Sequence, residues 1–301
     1  MKYVRFLIIA LIFASLLLVI TKPNVETRVK KKTQPLQTED LPKLFPYPLP
    51  VENPQPSPQI SAQSAVIIDA KSGVVLFEKN PHLRLLPAST AKLMTALVAL
   101  EKCSPDDVVT VTYIEQSPNS MGLSQGDKVT IKSLLYGMLV VSGNDAAYAL
   151  AYSCSNNIGE FVREMNQKAL ELGMNNTHYT NPAGFDDPAY FSTASDLAKL
   201  AKVSVSNPLI AKIVATKSTV VTDLTGNKTY FLQSTNELLE EVEGVIGVKT
   251  GQTEGSKEIL LSQTARNGNT IITVILKSES RFVESKALIE WAFKNHYWVN
   301  P

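Results

Sequence analysis

Ser89 and Lys92 stand three residues apart in Ser89-Thr90-Ala91-Lys92, at the head of a stretch with helical apolar spacing. On a helix that spacing puts two side chains on one face, within hydrogen-bond reach. A serine hydroxyl is a poor nucleophile until a base takes its proton. A lysine serves as that base where burial and neighbouring positive charge depress its pKa. A serine near a helix N-terminus also stands beside backbone N–H groups that can polarise a carbonyl oxygen. Two further patterns follow in order, Ser142-Gly143-Asn144 and Lys249-Thr250-Gly251. Ser142 can relay a proton and Asn144 can hold a peptide amide. Lys249 and Thr250 suit a substrate carboxylate, and Gly251 lets another backbone approach closely. Each pattern alone has an ordinary explanation: a capping serine with a surface lysine, a loop in which Asn144 caps the next helix, a turn at a strand end. In this order together they read as a serine acyl-transfer site with lysine where other enzymes use histidine.

The elements that must position these residues are legible in outline. Residues 64–69 and 74–79 read as strands around a turn at Ala70-Lys71-Ser72-Gly73. Residues 87–102 read as a helix with Pro87 at its start and Leu93, Ala96, Leu97 and Leu100 on its apolar face. Helices are expected over 132–140, 145–153, 158–172 and 194–205, then strands over 245–250, 258–264 and 270–277, with Asn267-Gly268-Asn269 as a hairpin turn. A last amphipathic helix spans 282–293. Strands therefore come from both ends and helices from the middle. The fold class is α/β (α+β), with an antiparallel sheet built from both termini, flanked by helices, plus a helical subdomain.

The 301 residues carry a net charge of +1, with 44% hydrophobic and 19% charged residues, a globular composition that gives no reason to expect a nucleic-acid partner. His82, His178 and His296 are widely spread and no Cys/His spacing fits a zinc site, so no metal is expected. Cys103 and Cys154 each follow an apolar helical run. A disulfide between them would fit an external compartment, but sequence spacing does not show that they meet, and we favour two small semi-buried thiols.

Residues 1–5 are short and basic, and 6–21 hold the apolar run FLIIALIFASLLLVI, which fits a signal-peptide core or a short anchor. No small-x-small cleavage site follows, so an uncleaved membrane anchor is expected. The flanking charges do not orient it. Residues 22–61 read as a proline-rich linker, a tether unable to bury a core, and 62–301 as one folded domain.

With these residues in view, the chain resembles the serine-type D-Ala-D-Ala carboxypeptidases, the low-molecular-mass penicillin-binding proteins of peptidase family S11, over most of 62–295. LPASTAKLMTALVALE is similar to their nucleophile helix, LLYGMLVVSGNDAAYALA to the second block and GVKTGQT to the third. FVREMNQKALELGMNNTHYTNPAG, FSTASDLAKLA and ESKALIEWAF are similar to the helical regions between and after. The resemblance implies a β-lactamase/penicillin-binding-protein transpeptidase-like fold. It implies a peptidoglycan stem peptide ending in D-Ala-D-Ala as substrate, and acylation of Ser89 by β-lactams. Ser89 would be the nucleophile, Lys92 its base and Ser142 the relay. Asn144, Lys249, Thr250, Gly251 and Gln252 would bind substrate, with the N–H groups of Ser89 and Gln252 as oxyanion hole. No cofactor is implied, and the domain would sit outside a bacterial cell membrane.

The sequence departs from the family at three places. Ser256-Lys257 replace a usual Ala-Gly pair, which puts the strand beside the cleft in question. Tyr190 stands where a histidine is common. A C-terminal β-rich domain and amphipathic helix do not follow before Pro301, so an N-terminal anchor is expected to replace them. The glutamate block that a class A β-lactamase needs for deacylation is not found between Ser142 and Lys249. A DD-endopeptidase or transpeptidase on the same scaffold, and a non-catalytic wall-binding protein, are the competing readings.

Overall fold

The computed structural model describes residues 46–155 and 157–299. The apolar run at 6–21 and the first part of the linker lie outside the described residues. Among the described residues no helix is long and apolar enough to cross a membrane.

In chain order the elements are β1 (Tyr47–Pro50), β2 (Ser64–Asp69), β3 (Val75–Lys79), a 3-10 turn at Ala88–Ala91 that runs into α1 (Lys92–Lys102), β4 (Val108–Thr110), β5 (Lys128–Thr130), α2 (Ile131–Val140), α3 (Asn144–Cys154) and α4 (Ile158–Glu171). Then come α5 (Ala194–Ser206), α6 (Pro208–Val214), β6 (Ser218–Thr222), β7 (Thr229–Gln233), α7 (Leu238–Glu241), β8 (Val245–Thr253), β9 (Lys257–Arg266), β10 (Asn269–Ser278), α8 (Arg281–Asn295) and β11 (His296–Val299). The central sheet has the order β3-β2-β10-β9-β8 and is antiparallel throughout. Two of its strands come from the N-terminal side and three from the C-terminal side, as the sequence pattern requires.

The period of two along each strand divides the sheet between two cores. Val66, Ile259, Leu261, Ile272, Val274 and Leu276 point into a large core shared with α1 to α6. Ala65, Ile67, Leu260, Ile271 and Ile275 point the other way, against Leu288, Ile289 and Ala292 of α8. Both faces are covered, which is why β10 reads as a nearly continuous apolar run and β9 carries Ile259, Leu260 and Leu261 in succession. The helices begin where local chemistry dictates. Thr130, Asn157, Thr193 and Asn207 accept hydrogen bonds from backbone N–H groups of the first turns of α2, α4, α5 and α6.

Two expectations need correction. The proline-rich stretch is not a tether over its whole length, because β1 pairs antiparallel with β11. Prolines fall at 46, 48 and 50, so the alternate residues keep their N–H groups, and Val51 N–H donates to Asn295 O at 2.9 Å. Trp291 Nε1–H donates to Gln55 O at 2.8 Å, fastening the next stretch as well. The cysteines are also not free thiols: Cys103 and Cys154 form a disulfide.

Candidate active site

The site lies where the first turns of α1 and α3, the loop before α5 and edge strand β8 converge. Ser89 is in the 3-10 turn and Lys92 is the first residue of α1. Lys92 is wholly buried, and its Nζ has three polar neighbours: Ser89 Oγ at 2.9 Å, Asn144 Oδ1 at 2.6 Å and Ala183 O at 2.6 Å. Two of these only accept hydrogen bonds. The third is a hydroxyl that can donate. In its neutral form the amine, with two N–H donors and one lone pair, would donate to Asn144 and Ala183 and accept from the Ser89 hydroxyl. Burial and then the nearby Lys249 hold the Lys92 pKa well below the usual lysine range, against an opposing pull from Asp145.

Lys249 is also buried. Its Nζ donates to Ser142 Oγ and to Thr250 O, each at 2.9 Å. Burial, then Arg281, push its pKa down to about 7. Thr250 Oγ1 lies 2.6 Å from Thr235 Oγ1. Arg281 reaches β8 from the start of α8, donating to Gly251 O at 3.1 Å. Gly251 packs closely on this turn: a Cβ there would stand 3.1 Å from Ala88 Cβ and 3.3 Å from Ser89 N. β8 thus runs directly against the turn that holds Ser89, and Gln252 follows with its side chain at the surface.

Ser142 occupies the left-handed region, with φ of 62°, between α2 and α3. That turn aims its hydroxyl at Lys249 instead of along either helix. Asn144 does not cap α3 as its position allowed. It is the first helical residue, and its side chain bridges Lys92 on one side and Ser117 Oγ, at 2.5 Å, on the other. All eight residues singled out from sequence lie in or beside this one site.

Several contributors were not legible. Asp145, adjacent to Asn144, is buried and accepts from Ser120 Oγ and from the N–H groups of Met121, Gly122 and Leu123, which ties the loop before β5 to α3. Asn181 Oδ1 accepts from the N–H groups of Ala183, Gly184 and Phe185, and so fixes the carbonyl that Lys92 uses. The clue was the turn composition of Asn181-Pro182-Ala183-Gly184. The departures from the family pattern are accommodated. Tyr190 is buried and donates to Ala88 O at 3.4 Å. Ser256 is buried in the β8–β9 turn, where its Oγ accepts from Thr253 N at 3.0 Å, and Lys257 opens β9 in the left-handed region, with φ of 51°.

Such a sheet and helical region, with Ser-Lys, Ser-x-Asn and Lys-Thr-Gly groups meeting at one edge, define the penicillin-binding-protein fold. The DD-transpeptidase of Streptomyces K15 superimposes with a TM-score of 0.74 at 30% identity, over 80% of this chain and 100% of that one. The peptidase S11 profile, D-alanyl-D-alanine carboxypeptidase, matches residues 51–280, and the chain belongs to that family. The D-alanyl-D-alanine carboxypeptidase DacF of Bacillus subtilis is 35% identical over 238 residues, which are 75% of this chain and 60% of that protein. DacB2 of Mycobacterium tuberculosis, also named a D-alanyl-D-alanine carboxypeptidase, is 32% identical over 229 residues, 73% of this chain and 78% of that one.

Proposed function

We propose that the chain is a serine-type D-alanyl-D-alanine carboxypeptidase that removes the terminal D-Ala from peptidoglycan stem peptides. The observation that carries this is the buried Lys92 Nζ, 2.9 Å from Ser89 Oγ, with its pKa held well below the usual lysine range by burial and Lys249. Lys92 takes the Ser89 proton as Oγ attacks the carbonyl carbon between the two D-alanines. The N–H groups of Ser89 and Gln252 receive the developing oxyanion. The proton passes through Ser142 to the departing amine, and free D-Ala leaves. Lys249 and Thr250 hold the substrate's terminal carboxylate, and Asn144 orients the peptide. Water then attacks the acyl-enzyme, with Lys92 again as base, and releases the shortened peptide.

Its place of action would be outside the cytoplasm, where peptidoglycan lies. The Cys103–Cys154 disulfide supports this, because such bonds persist in oxidising compartments. The apolar run at 6–21 would hold it to the membrane.

The test is the intact mass of the chain after exposure to benzylpenicillin, with Ser89→Ala alongside, followed by D-alanine release from a diacetyl-Lys-D-Ala-D-Ala peptide. A stoichiometric adduct absent from Ser89→Ala, with D-alanine release, is expected. No adduct on folded wild-type chain would overturn the reading. Transpeptidation shares the acyl-enzyme, and the Streptomyces K15 structure bears that name. Adding a glycine acceptor separates the two: a new amide product in place of the hydrolysed peptide would favour transpeptidation.

A further inference from the structure

The ribbon formed by β1 and β11 has one face that the rest of the domain leaves open. Its strands pair as Tyr47↔Val299, Pro48↔Trp298, Leu49↔Tyr297 and Pro50↔His296. Directly paired residues point to the same side of a ribbon, and successive residues alternate. Pro48 and Trp298 form an inward pair. Pro48 is buried, Trp298 Nε1–H donates to Asp69 Oδ1 at 2.9 Å, and the Trp298 ring packs 5.6 Å from that of Phe293. The outward side therefore carries Tyr47, Leu49, Tyr297 and Val299. The tyrosines are 42% and 49% exposed, and Leu49 and Val299 are half-buried. An antiparallel ribbon with one face on its domain ordinarily turns polar residues to water. This one turns out two aromatic and two aliphatic side chains and no charge.

The chain that leads into β1 points to what covers this face. Residues 22–46 join the apolar run at 6–21 to Tyr47. A chain of that length reaches at most about 80 Å, which holds a domain tethered to a bilayer at an effective concentration on the order of 1 mM at its surface. A weak patch is then enough to dock. Tyrosine suits the place, because its ring is apolar and its hydroxyl is not, and it gathers at the headgroup level of membranes. The ribbon also lies across the sheet from the catalytic site. Trp298 packs on the core beneath α8, whereas Ala88 and Ala91, either side of Ser89, belong to the other core. In the sheet, β10 and β9 stand between β2, which holds Trp298 through Asp69, and β8. Contact through the ribbon leaves the edge at β8 open and turned away from the bilayer.

We propose that the outward face of the β1–β11 ribbon, carried by Tyr47 and Tyr297, is a lipid-docking surface that rests on the headgroup layer of the bilayer holding the apolar run and so orients the catalytic cleft away from it. This rests on the membrane placement proposed above and is independent of the reaction assigned to Ser89.

Both cysteines of the chain are in the Cys103–Cys154 disulfide, so a single introduced cysteine takes a fluorescent label alone. Lys294→Cys puts the label where Lys294 lines a cavity with Tyr297 and Trp298, and Lys212→Cys puts it on α6, across the sheet. Each labelled full-length chain is placed singly in bilayer discs of phosphatidylethanolamine and phosphatidylglycerol, with and without a nitroxide on the lipid headgroups. The Lys294→Cys label should lose most of its emission to the nitroxide, and the Lys212→Cys label should keep it. Adding Tyr47→Ser with Tyr297→Ser should bring the first label to the level of the second, with penicillin acylation of Ser89 unchanged as the check on folding. Tyr297→Ser alone, at an exposed position, should move it in the same direction. Equal quenching of the two labels, or quenching at 294 that survives loss of both tyrosines, overturns the proposal. A label at 294 shielded from dissolved iodide yet untouched by the nitroxide also overturns it, because a protein segment would then cover the ribbon. A full-length chain that does not stay with the discs overturns the membrane placement along with it, whereas D-alanine release tests the carboxypeptidase reading separately.

Discussion

Lys92 Nζ donates a 2.6 Å hydrogen bond to Asn144 Oδ1, joining the first residue of α1 to the first residue of α3. The bond is between a neutral amide and a buried amine, and the choice of amide over carboxylate matters. An Asn144→Asp change puts a negative charge beside the amine, favours its ammonium form and raises its pKa. At neutral pH the base would then be protonated. Acylation of Ser89 by benzylpenicillin should fall about 100-fold at pH 7, in line with loss of a general base, and recover in part as pH rises. Asn144→Ala should lower acylation without moving the pH profile upward. Stopped-flow acylation rates from pH 6 to 9 distinguish the two.

Buried lysines also set how stability responds to pH. In the unfolded chain Lys249 has the ordinary lysine pKa of 10.5, and in the fold it is about 7. Between those values the unfolded state binds more protons, so stability rises with pH. Its cost is present in full below about pH 7 and is relieved as pH climbs towards 10.5. The slope for one such group is at most about 1.4 kcal/mol per pH unit. Lys92 is shifted in the same direction. Tyr179 and Tyr190 are displaced upward by burial, so they lose stability only once tyrosine begins to ionise in the unfolded chain, near pH 10. Urea midpoints should therefore increase from pH 7 to pH 9, and Lys249→Met should flatten that rise. A midpoint that falls over this window would contradict the burial of the two amines.

What could be read from sequence was what is local. Ser89 and Lys92 are one helical turn apart, and Ser142 with Asn144 and Lys249 with Thr250 are fixed by short turns and a strand end. The sheet was legible because Val66 to Ile68, and Ile271 to Leu276 apart from Thr273, are apolar runs that need cover on both faces. The third neighbour of Lys92 was not, because it is the backbone carbonyl of Ala183, and any residue type supplies one. Arg281 and Thr235 reach β8 from elements 15 or more residues away, without a motif of their own. Strand β1 was missed because proline usually argues against a strand, and here its period of two leaves every needed donor in place.

Cys103 follows the last residue of α1 and Cys154 is the last residue of α3, so the disulfide ties the far ends of the two helices whose first residues are Lys92 and Asn144. It spans a sequence separation of 51 residues. A loop of that size limits the unfolded chain by about 4 kcal/mol in the chain-entropy account. The double variant Cys103→Ser, Cys154→Ser should lose about 2–4 kcal/mol in urea unfolding, and reduction of the wild-type chain should lower its thermal midpoint to match. A double variant as stable as the oxidised wild type would mean that packing of α1 on α3 already supplies the constraint.

Gly184 faces the backbone of Ala88 and Ser89 so closely that a Cβ would stand 2.1 Å from Ala88 O and 2.7 Å from Ser89 N. Its φ of +95° is also one that side-chain-bearing residues rarely adopt. Ala88 itself has φ of 46°, a left-handed conformation held from outside by this contact and by the Tyr190 hydroxyl. The Ser89 turn is thus shaped by the 181–185 loop as well as by its own sequence. Gly184→Ala must move backbone on one side or the other, because neither neighbour is the end of a flexible side chain. The strained φ and the overpacking together should cost about 2–5 kcal/mol. Gly251→Ala meets its neighbours at 3.1 and 3.3 Å without a positive φ, and should cost about 1–2 kcal/mol. Below the unfolding transition, Gly184→Ala should also acylate with penicillin at least tenfold more slowly, since the Ala88 shift carries Ser89 Oγ away from Lys92. Urea midpoints and acylation rates for both variants test the ranking. Wild-type acylation by a folded Gly184→Ala chain would show that the Ser89 turn holds its shape without this contact.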